Sequence, residues 1–166
     1  MPTARALVLC RLAACALLTL SAAGCGLDPV RADLERYERV VLRPLGLEDA
    51  RGAEELAELT RATDQGRLER SAARTAVQSA AAHYAAIETL LKDEHPASPD
   101  LARLHARLSD EYRVITHQLD EAGAALERGD WHRADELLLG LAGHGFDAVR
   151  PAFAELARAH GLDPSN

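Results

Sequence analysis

The amino-acid sequence predicts an all-α protein, an antiparallel helical bundle with a long central helical hairpin and shorter helices before and after it. Apolar residues recur at alternating spacings of three and four in two long stretches, 67–92 and 98–128, which is the spacing of a heptad seam. The intervening residues, 93–97, form a short connection that contains Pro96. Long helices joined by so short a loop pack antiparallel.

The first predicted helix begins at Asp28, which can cap it, with Pro29 in the first helical position. We expect it to run to about Leu42 with one apolar stripe. The residues of this stripe are Val30, Leu34, Tyr37 and Val41.

A break is predicted next, because Pro44 and Gly46 are poor residues for a helix interior. A second, weakly amphipathic helix then extends from Glu48 to about Asp64. Its best apolar positions are Leu56 and Leu59, and Gly66 marks either a kink or a turn.

The central hairpin carries the strongest pattern. Its first helix presents Ala73, Val77, Ala80, Tyr84, Ile87 and Leu91. Ser98 and Pro99 open its second helix and Gly129 closes it after Arg128. This second helix presents Leu101, Leu104, Leu108, Tyr112, Ile115, Leu119, Ala122 and Leu126. Folding the chain about residues 95 and 96 places Tyr84 by Leu108 and Ala80 by Tyr112.

Two shorter helices are predicted after the hairpin. Asp130 caps one of about 12 residues, and Asp147 opens the last, with Pro151 in its first turn and Gly161 at its end. Their inward positions are Trp131, Ala134, Leu138 and Leu141 in one helix and Val149, Phe153, Leu156 and Ala157 in the other.

The segment 126–134, Leu-Glu-Arg-Gly-Asp-Trp-His-Arg-Ala, resembles the turn between the two helices of a tetratricopeptide repeat, and residues 161–166 are similar to the closing loop of that repeat. The likeness covers one helix pair, near 126–142. No 34-residue period recurs earlier in the chain, and a stable array needs at least three repeats. We therefore interpret this segment as a helix-turn-helix of convergent chemistry.

The N-terminus has the layout of a secretory signal. Arg5 and Arg11 precede an uncharged run, residues 12–23, which is too short for a permanent membrane span. Small residues at 22–24 then lead to Cys25. This segment resembles the signal of bacterial lipoproteins, although Ala22 stands where leucine is usual and the leucine, Leu20, lies two places early.

The resemblance implies cleavage before Cys25, a diacylglycerol on its sulfur and an acyl chain such as palmitate on its new amino group. The chain would then comprise a signal peptide (1–24), a lipidated cysteine with its tether (25–29) and one helical domain (30–166). Because Gly26 replaces the aspartate of an inner-membrane retention signal, the resemblance favours the outer membrane, with the domain facing the periplasm or the cell surface. The alternatives are an exported soluble protein cut near Ala23 and an uncleaved anchor.

Charge and cysteine content limit the partners. Loss of the signal removes two arginines, so that the net charge falls from -7 to -9, and an acidic exported domain is a poor ligand for nucleic acid. Cys10 and Cys15 leave with the signal. The single remaining cysteine, Cys25, precludes an internal disulfide.

The sequence contains no recognisable catalytic, metal-binding or haem-attachment motif. Its seven histidines include no pair at i,i+4 and no Glu-x-x-His arrangement. Neighbouring acidic pairs such as Asp110–Glu111 point about 100° apart on a helix, so we interpret them as solvated surface. We therefore expect no enzyme activity, no cofactor and no metal.

These observations predict a membrane-tethered protein that acts through contact with a protein partner in the envelope, as an interaction or scaffold module. The predicted contact surface is the C-terminal helix pair, because Trp131, Phe146 and Phe153 are three of the six aromatic residues. The principal alternative is a periplasmic bundle that binds a metal, haem or a small apolar molecule. A less favoured alternative is an enzyme.

Overall fold

The computed structural model describes residues 28–64 and 70–163 and confirms the all-α class. The signal peptide and Cys25 predicted from the sequence lie outside the described residues. The elements are α1 (Pro29–Tyr37), a π turn (Glu38–Leu42), α2 (Arg43–Asp64), α3 (Arg70–Asp93), α4 (Pro99–Arg128), α5 (Trp131–Leu139) and α6 (Phe146–Ala159).

The helices pack around one core. α3 lies between α2 and α4, and both α5 and α6 pack on α4. Among the described residues, the buried apolar side chains extend along the chain from Leu34 to Phe153 and form one cluster. None of the helices in the described ranges is both long enough and apolar enough to cross a bilayer.

The predicted break at Pro44 and Gly46 is wrong. Helix continues without interruption from residue 29 to residue 64, because the π turn widens the chain just before Pro44. Within it the N–H of Arg43 donates to the carbonyl of Glu38, five residues earlier. In an ordinary α-helix a proline ring clashes with the carbonyl four residues earlier, and proline has no N–H to donate to it. The wider π turn relieves this clash, so the helix continues past Pro44 despite the missing hydrogen bond. Gly66 and the side chain of Leu59 lie outside the described part.

The central hairpin is confirmed as α3 and α4. All six predicted positions of α3 are buried, and so are those of α4 except Leu104, which packs at the edge of the core. The Tyr84 ring lies 6.1 Å from the Tyr112 ring. Tyr84 therefore meets a residue one helical turn beyond Leu108, the partner expected from folding the sequence about residues 95 and 96.

The predicted helix ends are largely confirmed. Asp28 accepts a hydrogen bond from the N–H of Val30, and Asp130 accepts one from the N–H of Arg133. Gly129 ends α4 in the left-handed conformation, with φ of 78°. Ser98 occupies the N-cap of α4, but its side chain makes no capping bond; its own N–H donates to Asp33 instead.

The C-terminal helices differ slightly from expectation. α5 is nine residues long and buries Ala134 and Leu137. The prediction that Trp131 faces inward is wrong, because its side chain is exposed. α6 begins at Phe146, one residue before the predicted Asp147, so Pro151 lies past its first turn. Gly145 precedes α6 with φ of 79°, and a Cβ there would lie 3.2 Å from Ile115. Only glycine accommodates both this backbone angle and this close approach.

Candidate contact groove between the first and last helices

A groove lies between the two ends of the described chain. α1 and α6 run antiparallel, because Asp28 at the start of α1 contacts His160 after α6, and Tyr37 at the end of α1 stacks on Phe153 in the middle of α6. The groove between them encloses about 490 Å³, a volume within the range of small-molecule sites.

The lining of the groove is mainly apolar. Charged side chains, Glu38, Arg43, Arg150 and Asp163, also border it. The remaining lining residues are Leu34, Tyr37, Leu42, Phe146, Phe153, Ala154, Ala157 and Leu162. The groove thus combines an apolar interior with a few charges, which is the usual composition of a binding site.

Aromatic rings form the floor of the groove. Phe153 stacks on Tyr37 with centroids 5.8 Å apart and planes 16° apart, and Phe146 tilts against Phe153 at 5.8 Å. The guanidinium of Arg150 lies over the Phe146 ring, 5.2 Å from its centroid. The stacking of Tyr37 on Phe153 joins α6 to α1, whereas the contacts of Phe146 with Phe153 and with Arg150 lie within α6.

The three aromatic residues of the predicted contact surface do not lie together. Phe146 lines the groove in a half-buried position, and Phe153 lies beneath it with 6 % exposure. Trp131 stands at the start of α5 with 37 % exposure, and within the described part of the chain its ring contacts no other aromatic ring. The structure therefore brings Phe146 and Phe153 together and leaves Trp131 apart.

Two histidine–carboxylate contacts hold α6 at its ends. Before α6, Nδ1 of His144 donates to Glu111 of α4 over 2.7 Å. After α6, Nδ1 of His160 donates to Asp28, and this hydrogen bond holds the pKa of the Asp28 carboxyl below its usual value. The same kind of contact joins His83 of α3 to Glu48 of α2 and lowers the pKa of Glu48.

A second set of polar contacts anchors α1 to α4 and to the loop that precedes it. The Tyr37 hydroxyl and Nδ1 of His105 share a hydrogen bond of 2.8 Å, and burial lowers the pKa of His105. Asp33, nearly buried, accepts from the Ser98 N–H, and Arg36 forms an ion pair with Glu94. Sequence patterning did not indicate these pairings, because their members are distant in sequence and no periodicity links them.

A carboxyl group lies among buried tyrosines near the start of α6. Burial raises the pKa of Asp49, which faces the hydroxyls of Tyr84 and Tyr112. Burial likewise raises the pKa of Tyr84 to about 12. The hydroxyl of Tyr112 is enclosed and has no hydrogen bond of ordinary geometry, although the N–H of Phe146 and the Asp49 carboxyl lie near it. Asp49 was missed from the sequence because its helix is only weakly amphipathic.

These side chains form hydrogen bonds that join different elements of the fold. In the ranges 28–64 and 70–163, no group of three or more histidine, cysteine, aspartate or glutamate side chains is placed to hold a metal ion. Among the histidines, His83, His144 and His160 each engage a carboxylate on another element. The groove is lined mainly by apolar residues, with two acids, Glu38 and Asp163, and two arginines, Arg43 and Arg150, at its border.

Within the described residues, the chain is an all-α bundle with an apolar groove between α1 and α6. No protein-family model matches the chain, and neither the curated proteins nor the solved structures include a detectable relative.

Proposed function

We propose that the chain is a lipid-anchored protein of a bacterial cell envelope, attached through Cys25, that acts by binding and not by catalysis. The outer membrane is the favoured site, with the helical domain in the periplasm or on the surface. The observation that carries this proposal is the apolar groove between α1 and α6, which lies on the helix that directly follows the anchor.

The tether supports this placement of the groove. Four residues, Gly26 to Pro29, follow the anchor cysteine, and at 3.3–3.6 Å each they span no more than roughly 14 Å. Since His160 is bonded to Asp28, both helices that form the groove start or end beside this tether. The groove therefore works close to the membrane surface.

Lipidation of Cys25 is tested by mass spectrometry of the protein purified from envelopes. We expect the mature chain to begin at Cys25 and to carry the mass of its acyl groups. A Cys25→Ala protein should lose the lipid and leave the membrane fraction, whereas the matched control Cys15→Ala, inside the signal peptide, should behave as the unmodified chain. A bare Cys25 in the membrane-bound protein would contradict the anchor.

Binding through the groove is tested by cross-linking and capture with the native, lipidated protein. Ala154→Glu places a charge in the groove, and Trp131→Ala truncates the exposed tryptophan on α5. If the groove is the contact surface, the first substitution abolishes recovery of the partner and the second leaves it unchanged. The opposite result would assign the contact to α5.

A second candidate function is a ligand-binding bundle. Among the ligands of this alternative, the groove favours a small apolar molecule, because its volume and lining are those of such a site. Mass spectrometry of the protein under native conditions, before and after extraction with organic solvent, would detect a molecule that copurifies with it.

A further inference from the structure

We propose that the groove between α1 and α6 binds a free fatty acid, with its hydrocarbon tail along the apolar floor and its carboxylate at Arg43 and Arg150. This inference rests on the proposed function in one respect, because it takes the groove as the binding surface of the protein. It does not depend on the lipid at Cys25.

The tail has an apolar path of suitable shape. The lining residues Leu34 and Arg43 are nine positions apart on one continuous helical run, which corresponds to roughly 14 Å at 1.5 Å per residue. On the opposite wall, Ala154 and Ala157 of α6 have small side chains and leave the space between the helices open. A narrow groove of this length fits a single extended hydrocarbon chain.

The head group is specified by the position of the arginines. Because Tyr37 stacks on Phe153 and the helices are antiparallel, Arg43, which follows Tyr37, lies at the same end of the groove as Arg150, which precedes Phe153. Two guanidinium groups from facing helices therefore border one end of an apolar groove. Guanidinium binds carboxylate through paired, charge-assisted hydrogen bonds.

Both arginines can exchange their present carboxylate partner for the carboxylate of a ligand. Arg43 pairs with Glu38 at 3.1 Å and Arg150 with Asp147 at 2.6 Å, and each guanidinium side chain is more than 60 % exposed. Exposed pairs of this kind contribute little to stability, so a ligand carboxylate can replace or share them. Glu38 and Asp147 lie at the same end and balance the two arginines, so the preference for a carboxylate rests on its paired hydrogen bonds with guanidinium and not on a net positive charge.

The test uses the mature chain, residues 25–166, with Cys25→Ser to keep it free of lipid, because the described core lies wholly within this part. Isothermal titration calorimetry compares dodecanoate with dodecylammonium, which has a tail of equal length and the opposite charge. We expect one dodecanoate per chain and an affinity for dodecylammonium at least about tenfold lower.

Head-group recognition is tested by the double variant Arg43→Gln, Arg150→Gln. It should bind dodecanoate about tenfold more weakly and lose the preference for the anion. The matched control is Arg103→Gln, Arg113→Gln, which changes the net charge equally and removes two exposed arginine–aspartate pairs from α4. This control should bind dodecanoate as the parent chain does.

The position of the tail is tested by filling the groove. Ala157→Phe places a ring among the lining residues, whereas Ala159→Phe makes the same change two positions away, at an exposed site beside α4. We expect the first to abolish binding of dodecanoate and the second to preserve it. Melting curves followed by circular dichroism confirm that both variants are folded.

Equal affinity for the two amphiphiles, or equal binding by the two phenylalanine variants, would overturn the fatty-acid site. If neither amphiphile binds while Ala154→Glu abolishes recovery of a protein partner, the inference fails and the proposed contact function stands. If dodecanoate binds as expected but Cys25 is bare in the membrane-bound protein, the ligand site stands and the anchor fails.

Discussion

His160, the residue that follows the last helix, donates through Nδ1 to the carboxylate of Asp28, the residue that caps the first helix, over 2.5 Å. One carboxylate therefore serves two purposes, because it also accepts the N–H of Val30. The contact joins both ends of the described chain.

The contact between His160 and Asp28 predicts acid sensitivity. The hydrogen bond from His160 lowers the pKa of Asp28 from 3.8, so the stability it contributes is present above about pH 4 and is lost as the pH falls through the lower, folded-state value. A His160→Gln protein should melt at a lower temperature than the parent at about pH 5, and the two melting temperatures should converge near pH 2.

The control for this prediction is His132→Gln, since His132 is 87 % exposed and its ion pair is with Glu136 on the same helix. It should melt with the parent at every pH. Thermal unfolding followed by circular dichroism measures all three proteins, and a constant difference between parent and His160→Gln down to the lowest pH would refute the link to Asp28.

Asp49 predicts a pH dependence of the opposite sign. Burial raises the pKa of Asp49 above the ordinary 3.8, because it disfavours the charged carboxylate. The protein is therefore most stable with respect to this group below that pH, where Asp49 is protonated, and it loses stability as the pH rises through the folded-state pKa. Asp49→Asn imitates the protonated carboxyl. We expect this variant to be more stable than the parent near pH 7 and equally stable near pH 3.

Urea unfolding at both pH values measures this difference. Asp110→Asn is the matched control, because Asp110 is exposed and pairs with Arg113 three residues further on. A loss of stability in Asp49→Asn at neutral pH would show that the protein stabilises the charged carboxylate, which would contradict the raised pKa of Asp49.

The fold class and the central hairpin could be predicted from the sequence because they depend on local and periodic signals. The positions predicted for α3, such as Ala73 and Ile87, are buried because a heptad spacing presents one face of a helix to its neighbour. Asp28, Gly129 and Asp130 were recognisable because a cap lies within a few residues of the helix end that it stabilises.

The groove could not be predicted in the same way. It depends on contacts between residues more than 110 positions apart, such as Tyr37 with Phe153, and no short-range pattern encodes them. Phe146 and Phe153 were identified as aromatic residues of the C-terminal helix pair, but the contact of Phe153 with Tyr37 on α1 was not. The anchor at Cys25 and the likeness of residues 126–142 to a repeat stay predictions.

Two buried tyrosines predict unequal effects of removing a hydroxyl group. Tyr37 shares a hydrogen bond of 2.8 Å with His105, so Tyr37→Phe should lower the free energy of unfolding by about 1 kcal/mol. The hydroxyl of Tyr112 has no partner of ordinary geometry, and Tyr112→Phe should therefore cost less. Both rings are fully buried and retain their apolar contacts in the variants. Denaturant unfolding at neutral pH compares them, and an equal loss would show that Tyr112 is hydrogen-bonded in solution.

Two glycines of α2 predict opposite effects of the same substitution. A Cβ at Gly46 would have no atom within 4 Å, so Gly46→Ala should stabilise the protein by roughly 0.5–1 kcal/mol through its better helix propensity. A Cβ at Gly52 would lie 2.7 Å from the ring of Tyr84.

Tyr84 is buried and its hydroxyl faces Asp49, so the ring has little room to move away from a side chain at position 52. Gly52→Ala should therefore destabilise the protein by about 1–3 kcal/mol despite the same gain in propensity. Each variant is the control for the other, because both glycines lie in one helix. If both alanines stabilised the protein equally in denaturant unfolding, α2 would not pack against Tyr84 at Gly52; if both destabilised it, the helix would not continue past Pro44.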